Sequence, residues 1–309
     1  MKVHFVRLAQ AYLPELDAYD SFLRALGHQA CLHTHVGTIP ADAQVVWWMC
    51  GRVPAAISHS APGAFHVHEY SSASVPPFAW LKDRVKRYLQ PRPDYRIFQN
   101  EWVRRRFDFR DGRPSELRDM GVAPAFLEMP PHGVTPDHDF VYLGEMRRLR
   151  GFLRVFDALE LAGLRVLLVG QLPDDLAQRL GPTALRTVTG RVPHAQVPSL
   201  LRRARVGLNL VPDRAPFNLQ TSTKLLEYCA CGLHVLSTDY PWVRDFARQR
   251  GGDFSYLAAP ADPRSVMQDL AKALQAQAQA TAAVVDVRAL AWPRLLGDLH
   301  IWRTIGVEP

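Results

Sequence analysis

The sequence has no apolar run as long as a membrane span. Its opening residues, MKVHFVRL, read as a first strand rather than a secretory signal. Both absences argue against a helical integral membrane protein, and they make the cytosol the expected location, with peripheral contact at the inner face of the plasma membrane left open. Cysteine is scarce, with four residues at 31, 50, 229 and 231 and no metal-ligand spacing among them. The CAC at 229–231 falls inside a helical pattern and reads as small buried thiols. Zinc-finger, RNA-recognition and helix-turn-helix signatures are all missing, so nucleic acid is not an expected partner.

Acidic charge is in deficit: 30 Asp and Glu face 37 Lys and Arg, a formal charge of +7. The excess is concentrated in RVKRYLQPRPDYR at 84–96 and WVRRRFDFR at 102–110. A solvated helix face explains such clusters, and so does contact with an anionic membrane surface, which needs no sequence code.

What is present, in 309 residues of which 48% are hydrophobic, is room for two domains of ordinary size. Short apolar runs alternate with helical periods, the pattern of an α/β protein with parallel sheets. KVHFVR, QACLHTHV, AQVVWWMC, AFHVHEY and YRIFQN are strands of a first series, and FAWLKDRVKRYL between the last two is a basic amphipathic helix. MPPHGVTPDHD at 129–139 has the texture of a linker. A second series then begins with FVYLGEM and continues through LRVLLVG, LRTVTG, VGLNLVP and HVLSTD, with helices between. The expected architecture is two doubly wound, Rossmann-like domains facing across a cleft: residues 1–134, then 135–283, with an aromatic-rich helical segment, 284–309, at the end.

The most informative stretch is TSTKLLEYCACGLHVLSTD at 221–239. Thr221, Ser222 and Thr223 are good residues for starting a helix, and Lys224 and Glu227 then share one face of its first turns. A diphosphate at that terminus would meet free N–H groups, hydroxyls and an ammonium together, and Glu227 could accept hydrogen bonds from a ribose diol. The spacing fits a surface i, i+3 salt bridge equally well.

This stretch resembles the donor motif of glycosyltransferases of the GT-B fold, in particular the large retaining family that uses nucleotide-sugars. Ser222, Lys224, Glu227 and Tyr228 match its Ser/Thr-x-Lys-x-x-Glu-Tyr variant, Gly232 its glycine, and VLSTD its closing strand. FVYLGEMRRLRGF at 140–152 resembles the family's Gly-Arg-Leu-x-x-x-Lys-Gly segment, with Gly144 and Gly151 matching and Arg150 in the place of the lysine. LRTVTGRV resembles the Gly-x-Val turn that holds the base, here Gly190, Arg191 and Val192. MPPHGV stands where the family has its interdomain Asn-Gly-Val, and the last helix is the one that crosses back to the first domain.

The resemblance implies a hexosyl transfer from a nucleoside-diphosphate sugar to a glycan or lipid-linked acceptor, as in polysaccharide biosynthesis. A UDP-sugar is the first expectation and a GDP-sugar the next, with no further cofactor and no metal. It implies Gly144, Arg150, Gly190, Arg191, Val192, Thr221, Ser222, Thr223, Lys224 and Glu227 as donor-binding residues. As catalytic candidates it points to His68 and Glu69 at the end of FHVHEY: His68 orienting the sugar or acceptor in a retaining reaction, or Glu69 acting as base in an inverting one. Asp137-His138-Asp139 spells a metal motif of the other common glycosyltransferase fold, but its place before a strand reads as loop. Three positions depart from the family. Leu219 replaces the first glutamate of its Glu-x7-Glu pair, Glu145 replaces an arginine that Arg147, Arg148 or Arg191 would have to supply, and AQAYLPELDAYD replaces a glycine-rich loop, leaving Tyr12, Glu15 or Tyr19 to touch the acceptor. These departures keep two alternatives open: a sugar-nucleotide epimerase of the same fold, and a nucleotide-sugar-binding protein without catalysis.

Overall fold

A computed structural model describes residues 1–8, 13–51, 53, 61–128, 135–279 and 285–308. The chain divides into two compact units, Met1–Gly121 with Leu290–Pro309, and Val122–Ala289.

The first unit is built on β1 (Lys2–Val6), β2 (Gln29–His33), β3 (Val45–Met49), β4 (Phe65–Tyr70), β5 (Tyr95–Phe98) and β6 (Ser115–Leu117). They form one parallel sheet in the order β2-β1-β3-β4-β5-β6. The helices between them are α1 (Pro14–Ala25), α2 (Ala79–Leu89) and α3 (Glu101–Phe107). All five residues of β3 and all four of β5 are buried, as expected of central strands covered on both faces.

The second unit opens with α4 (Pro124–Leu127) and carries β7 (His138–Leu143), α5 (Leu153–Leu161), β8 (Val166–Val169), α6 (Asp174–Leu180), β9 (Arg186–Val188), α7 (Val197–Leu201), β10 (Ala204–Asn209), α8 (Thr223–Ala230), β11 (His234–Thr238), α9 (Pro241–Arg250), β12 (Ser255–Leu257) and α10 (Pro263–Gln279). Its sheet is again wholly parallel, in the order β12-β11-β10-β7-β8-β9. Phe140, Tyr142, Val206, Leu208 and Leu236 from the strands pack with Val155 and Phe156 of α5 and Val266 and Leu270 of α10 in one core.

The division falls before the proline-rich segment because α4 packs with the second unit. The Phe126 ring lies 5.0 Å from that of His194, and the Arg202 guanidinium donates to the Phe126 carbonyl at 3.1 Å. Residues 129–134 of the linker, and Tyr12, lie outside the described residues. The C-terminal segment forms two short helices, α11 (Trp292–Gly297) and α12 (Ile301–Thr304), rather than one. Trp302 fixes them to the first unit: its ring sits 5.5 Å from Trp47 and 6.0 Å from Tyr19, wholly buried. Among the described residues no helix is long and apolar enough to cross a membrane.

Two expectations change. Asp137-His138-Asp139 is not a free loop: β7 begins at His138, Asp137 pairs with Arg203 at 2.5 Å, and the Asp139 carboxylate accepts the Arg165 N–H at 2.9 Å. Two three-residue strands, β6 and β12, join the sheet edges where no strand was expected, being too short to carry a visible period.

Candidate functional site

In the second sheet the strand order turns at β7 and β10, which lie side by side although two strands intervene in sequence. The carboxyl ends of neighbouring strands at such a point leave a crevice, the usual ligand position in an open parallel sheet. α8 starts there, and one tyrosine holds it. The Tyr228 hydroxyl accepts the Leu143 N–H at 2.8 Å and donates to the Leu208 carbonyl at 3.3 Å, so it ties the helix to both strands. Its ring lies flat on β10 at Gly207, where a Cβ would stand 2.5 Å from ring carbons.

The N-terminus of α8 is open. Ser222 is its N-cap residue but makes no capping bond. Its hydroxyl instead donates to Asn209 Oδ1 at 2.7 Å, and Asn209 in turn donates to Ser237 and Tyr240 at 2.9 and 3.0 Å. This buried chain anchors the loop and takes the Ser222 hydroxyl away from the first helical N–H groups. Beside them is a hollow of about 140 Å³ lined by Arg148, Val211, Phe217 and residues 220–224. Gln220 Nε2 is buried on this lining with no hydrogen-bond partner among the described residues.

Lys224 is the unusual group. It is only 6% exposed, and its Nζ has weak company: the Tyr142 hydroxyl at 3.4 Å and the Tyr142 ring at 4.6 Å. No carboxylate lies within ion-pair distance of it among the described residues, so the i, i+3 pair with Glu227 is not formed. Burial pulls the ammonium from 10.5 down to about 7, the Arg148 charge pulls the same way, and Glu227 opposes them. The side chain passes Gly144, whose φ of 122° only glycine adopts freely and where a Cβ would meet Lys224 Cε at 3.7 Å.

Glu227 turns to the other side. His194 Nε2 lies 2.9 Å from its Oε1, and the carboxyl remains partly open to solvent. The turn after β9 lies in the same unit: Gly190 takes φ 71°, Arg191 is exposed and Val192 half-buried. Thr221 and Thr223 flank Ser222, both half-buried, on the hollow.

The arginines are distributed differently from the expectation. Arg150 lies away in an exposed ion pair with Asp175 at 2.7 Å, and Arg148 takes the place on the hollow, its guanidinium 5.1 Å from the Phe217 ring. The segment Met146–Gly151 is a 3-10 turn, which puts Arg147 and Arg150 on one side and Arg148 on another. Glu145 caps this turn by accepting the Arg147 N–H at 3.1 Å, a local use for the acid at that position.

An N-cap residue without a capping bond, a desolvated ammonium and a second cation around one hollow are groups that can hold an anion, and a carboxylate one turn on can hold hydroxyls. Residues 137–276, which contain all of it, match the family of glycosyl transferases group 1. The chain has the GT-B fold. Among solved structures the chain resembles HepE from Anabaena, solved with UDP and glucose, over 99% of both chains at 13% identity and a TM-score of 0.62. It resembles WaaG, a glycosyltransferase involved in lipopolysaccharide biosynthesis, over 93% of this chain and 97% of that one at 16% identity and a TM-score of 0.61. A UDP-GlcNAc 2-epimerase from Methanocaldococcus jannaschii follows over 96% and 98% of the two chains at 11% identity and a TM-score of 0.53. At these identities the likeness is one of fold. No curated protein matches the chain significantly.

In the first unit the expected acceptor-side residues are buried. Glu69 has no exposed surface: Oε2 accepts from Tyr19 at 2.9 Å and Trp47 at 2.8 Å, and Oε1 is held by the Arg118 guanidinium. Glu15 shares that arginine at 3.7 Å and accepts the Ser71 hydroxyl at 2.8 Å, while burial raises its pKa. Its Oε2 is buried and unpartnered among the described residues. His68, 1% exposed, contacts the Tyr70 hydroxyl at 3.4 Å, and burial lowers its pKa to about 3, so it is neutral at ordinary pH. Arg118, the centre of this cluster, went unnoticed in the sequence, as did His194, Phe217 and Tyr142 in the second unit. None lies in a motif that distinguishes it.

Proposed function

We propose that the chain transfers a sugar, with retention, from a nucleoside-diphosphate donor to a glycan or lipid-linked acceptor. The observation that carries the donor half is Lys224: a desolvated ammonium without an acidic partner, on a hollow that also gathers Arg148 and the open end of α8. A donor diphosphate provides the missing counter-charge. The leaving β-phosphate oxygen gains negative charge as its bond to the sugar C1 breaks, and Lys224, Arg148 and the α8 N–H groups stabilise that charge. The acceptor oxygen bonds to C1, and its proton passes to the departing phosphate. Glu227, oriented by His194, accepts from the ribose hydroxyls, and the turn at Gly190, Arg191 and Val192 faces the base.

Retention is supported by the state of Glu69. A general base must reach its proton, and both oxygens of this carboxylate are used by Tyr19, Trp47 and Arg118 in the core. Glu69 and Arg118 then belong to the buried framework of the first unit, with His68 a neutral neighbour. Arg150 serves the donor only if it leaves Asp175. Leu219 brings no carboxylate to the sugar, which leaves its recognition to other groups.

The test is a thermal-shift panel with UDP, GDP, ADP, dTDP and CMP, followed by product analysis. A ligand at a hundred times its dissociation constant stabilises by about 2.7 kcal/mol. One diphosphate, UDP first, should shift wild type and leave Glu227→Ala less shifted by roughly tenfold in affinity, because a hydrogen bond to a charged group contributes about 1.5–3 kcal/mol. No shift with any nucleotide, or equal shifts in both proteins, would refute the assignment. A sugar-nucleotide isomer formed without acceptor would replace transfer by epimerisation.

A further inference from the structure

On the donor reading above, the ligand has a direction. The ribose goes to Glu227, one turn along α8 from Lys224, and the phosphates lie at the head of that helix. The sugar then falls on the far side of the phosphates, toward the loop that joins β10 to α8.

This loop offers cations and a spare donor, and no free acid. Gln220 Nε2 is buried on the hollow with no hydrogen-bond partner among the described residues. A buried N–H left so is costly until a ligand oxygen accepts it. Phe217, also on the lining, has two guanidiniums beside its ring, Arg148 at 5.1 Å and Arg214 at 5.9 Å. Both arginines are exposed, and neither forms an ion pair among the described residues. An aromatic ring holds a guanidinium in place without cancelling its charge. No acid lines the hollow among the described residues. Asp213, the one acid of the loop, accepts the Asn218 amide at 2.8 Å and lies beyond ion-pair distance of both arginines. Leu219 is apolar.

A neutral hexose presents hydroxyls, each with a proton to donate, and a carboxylate on the protein is their natural partner. The loop has the opposite chemistry. A spare N–H donor suits a substituent that only accepts, and an uncompensated guanidinium suits one that carries negative charge; a carboxylate is both. We propose that the donor sugar is a hexuronate, its carboxylate held by Gln220 Nε2 and the Arg214 guanidinium while Arg148 stays with the β-phosphate. The carboxylate takes no part in bond breaking; it fixes the sugar over Phe217. A uronate subsite presupposes the donor reading above, and the two part company in the assay.

The experiment is isothermal titration of the full chain with UDP, UDP-glucose, UDP-N-acetylglucosamine, UDP-glucuronate and UDP-galacturonate. GDP, GDP-mannose and GDP-mannuronate take their place where GDP is the nucleotide that binds. Wild type should bind one of the uronates at least about tenfold more tightly than the neutral hexose, the worth of one hydrogen bond to a charged group. Arg214→Gln with Gln220→Leu should remove that advantage and bind the bare diphosphate as wild type does. Arg214→Gln alone, at an exposed position that folding does not depend on, should already narrow it. Bare diphosphate bound with no preference for a uronate would overturn the subsite and leave the donor reading standing. So would a preference for UDP-N-acetylglucosamine, or a uronate preference that survives in the double variant. No binding of any nucleotide would overturn both.

Discussion

Replacing Lys224 with methionine should make the second unit more stable while removing its affinity for diphosphates. The native ammonium is held at about 7 against 10.5 for an ordinary lysine, which at 1.36 kcal/mol per pH unit is a native-state penalty of ~5 kcal/mol. Below pH 7 both folded and unfolded chains carry the proton, and the full penalty applies. Between pH 7 and 10.5 the unfolded chain holds a proton that the folded chain has released, so wild-type stability rises with pH. Above 10.5 neither form is charged and the penalty is gone. Methionine has no such dependence. At pH 6.5 the variant should therefore melt higher than wild type, by up to about 10–20 °C at about 2–4 °C per kcal/mol for a domain of this size. That gap should close as the pH approaches 10. Scanning calorimetry at several pH values reads it directly, and adding the cognate diphosphate should raise only wild type. A variant that melts lower than wild type at pH 6.5, or a gap indifferent to pH, would show that Lys224 is not held uncompensated. An anion site that lowers the stability of the empty protein is a familiar exchange between function and folding.

Three further outcomes follow from packing. Gly207→Ala should destabilise the second unit by about 1–3 kcal/mol, because its Cβ would stand 2.5 Å from the Tyr228 ring; urea unfolding measures this. Arg118→Met should cost the first unit about 3–5 kcal/mol, since it leaves Glu69 and Glu15 buried without their cation. Glu69→Gln in the same background should recover part of that loss, which calorimetry of the double variant checks. Arg150→Ala should leave the melting temperature nearly unchanged, its pair with Asp175 being half exposed and screened by solvent; if nucleotide affinity also stays unchanged, Arg148 rather than Arg150 is the second cation of the site.

The two sheets were legible because buried parallel strands write themselves as short apolar runs. VVWWM and VLLV need no partner to be recognised. Lys224 and Glu227 were legible because they lie three apart on one helix, so local geometry alone brings them near a terminus. Their actual neighbours were not. Tyr142 is 82 positions from Lys224, and His194 is 33 from Glu227. Such distances are closed only by the sheet. Arg150 was taken up because it stands where the resemblance puts a lysine, and the 3-10 turn sets which side each arginine faces. Glu69 looked available at a strand end, but Arg118, 49 positions on, and two aromatic donors enclose it. The final segment read as one helix because its aromatic content suggested burial, and burial is what α11 and α12 share.

The contact of Tyr228 with Gly207 also constrains how this protein can drift over generations. Any side chain at position 207 expels the tyrosine ring, and without its hydroxyl the helix that presents Lys224 and Glu227 loses its ties to Leu143 and Leu208. Neither residue lines the hollow at the head of α8, yet a lineage that alters one must alter the other in step. Related chains should therefore either keep the glycine and tyrosine together or exchange both, and those that exchange both must find another way to fix the register of α8.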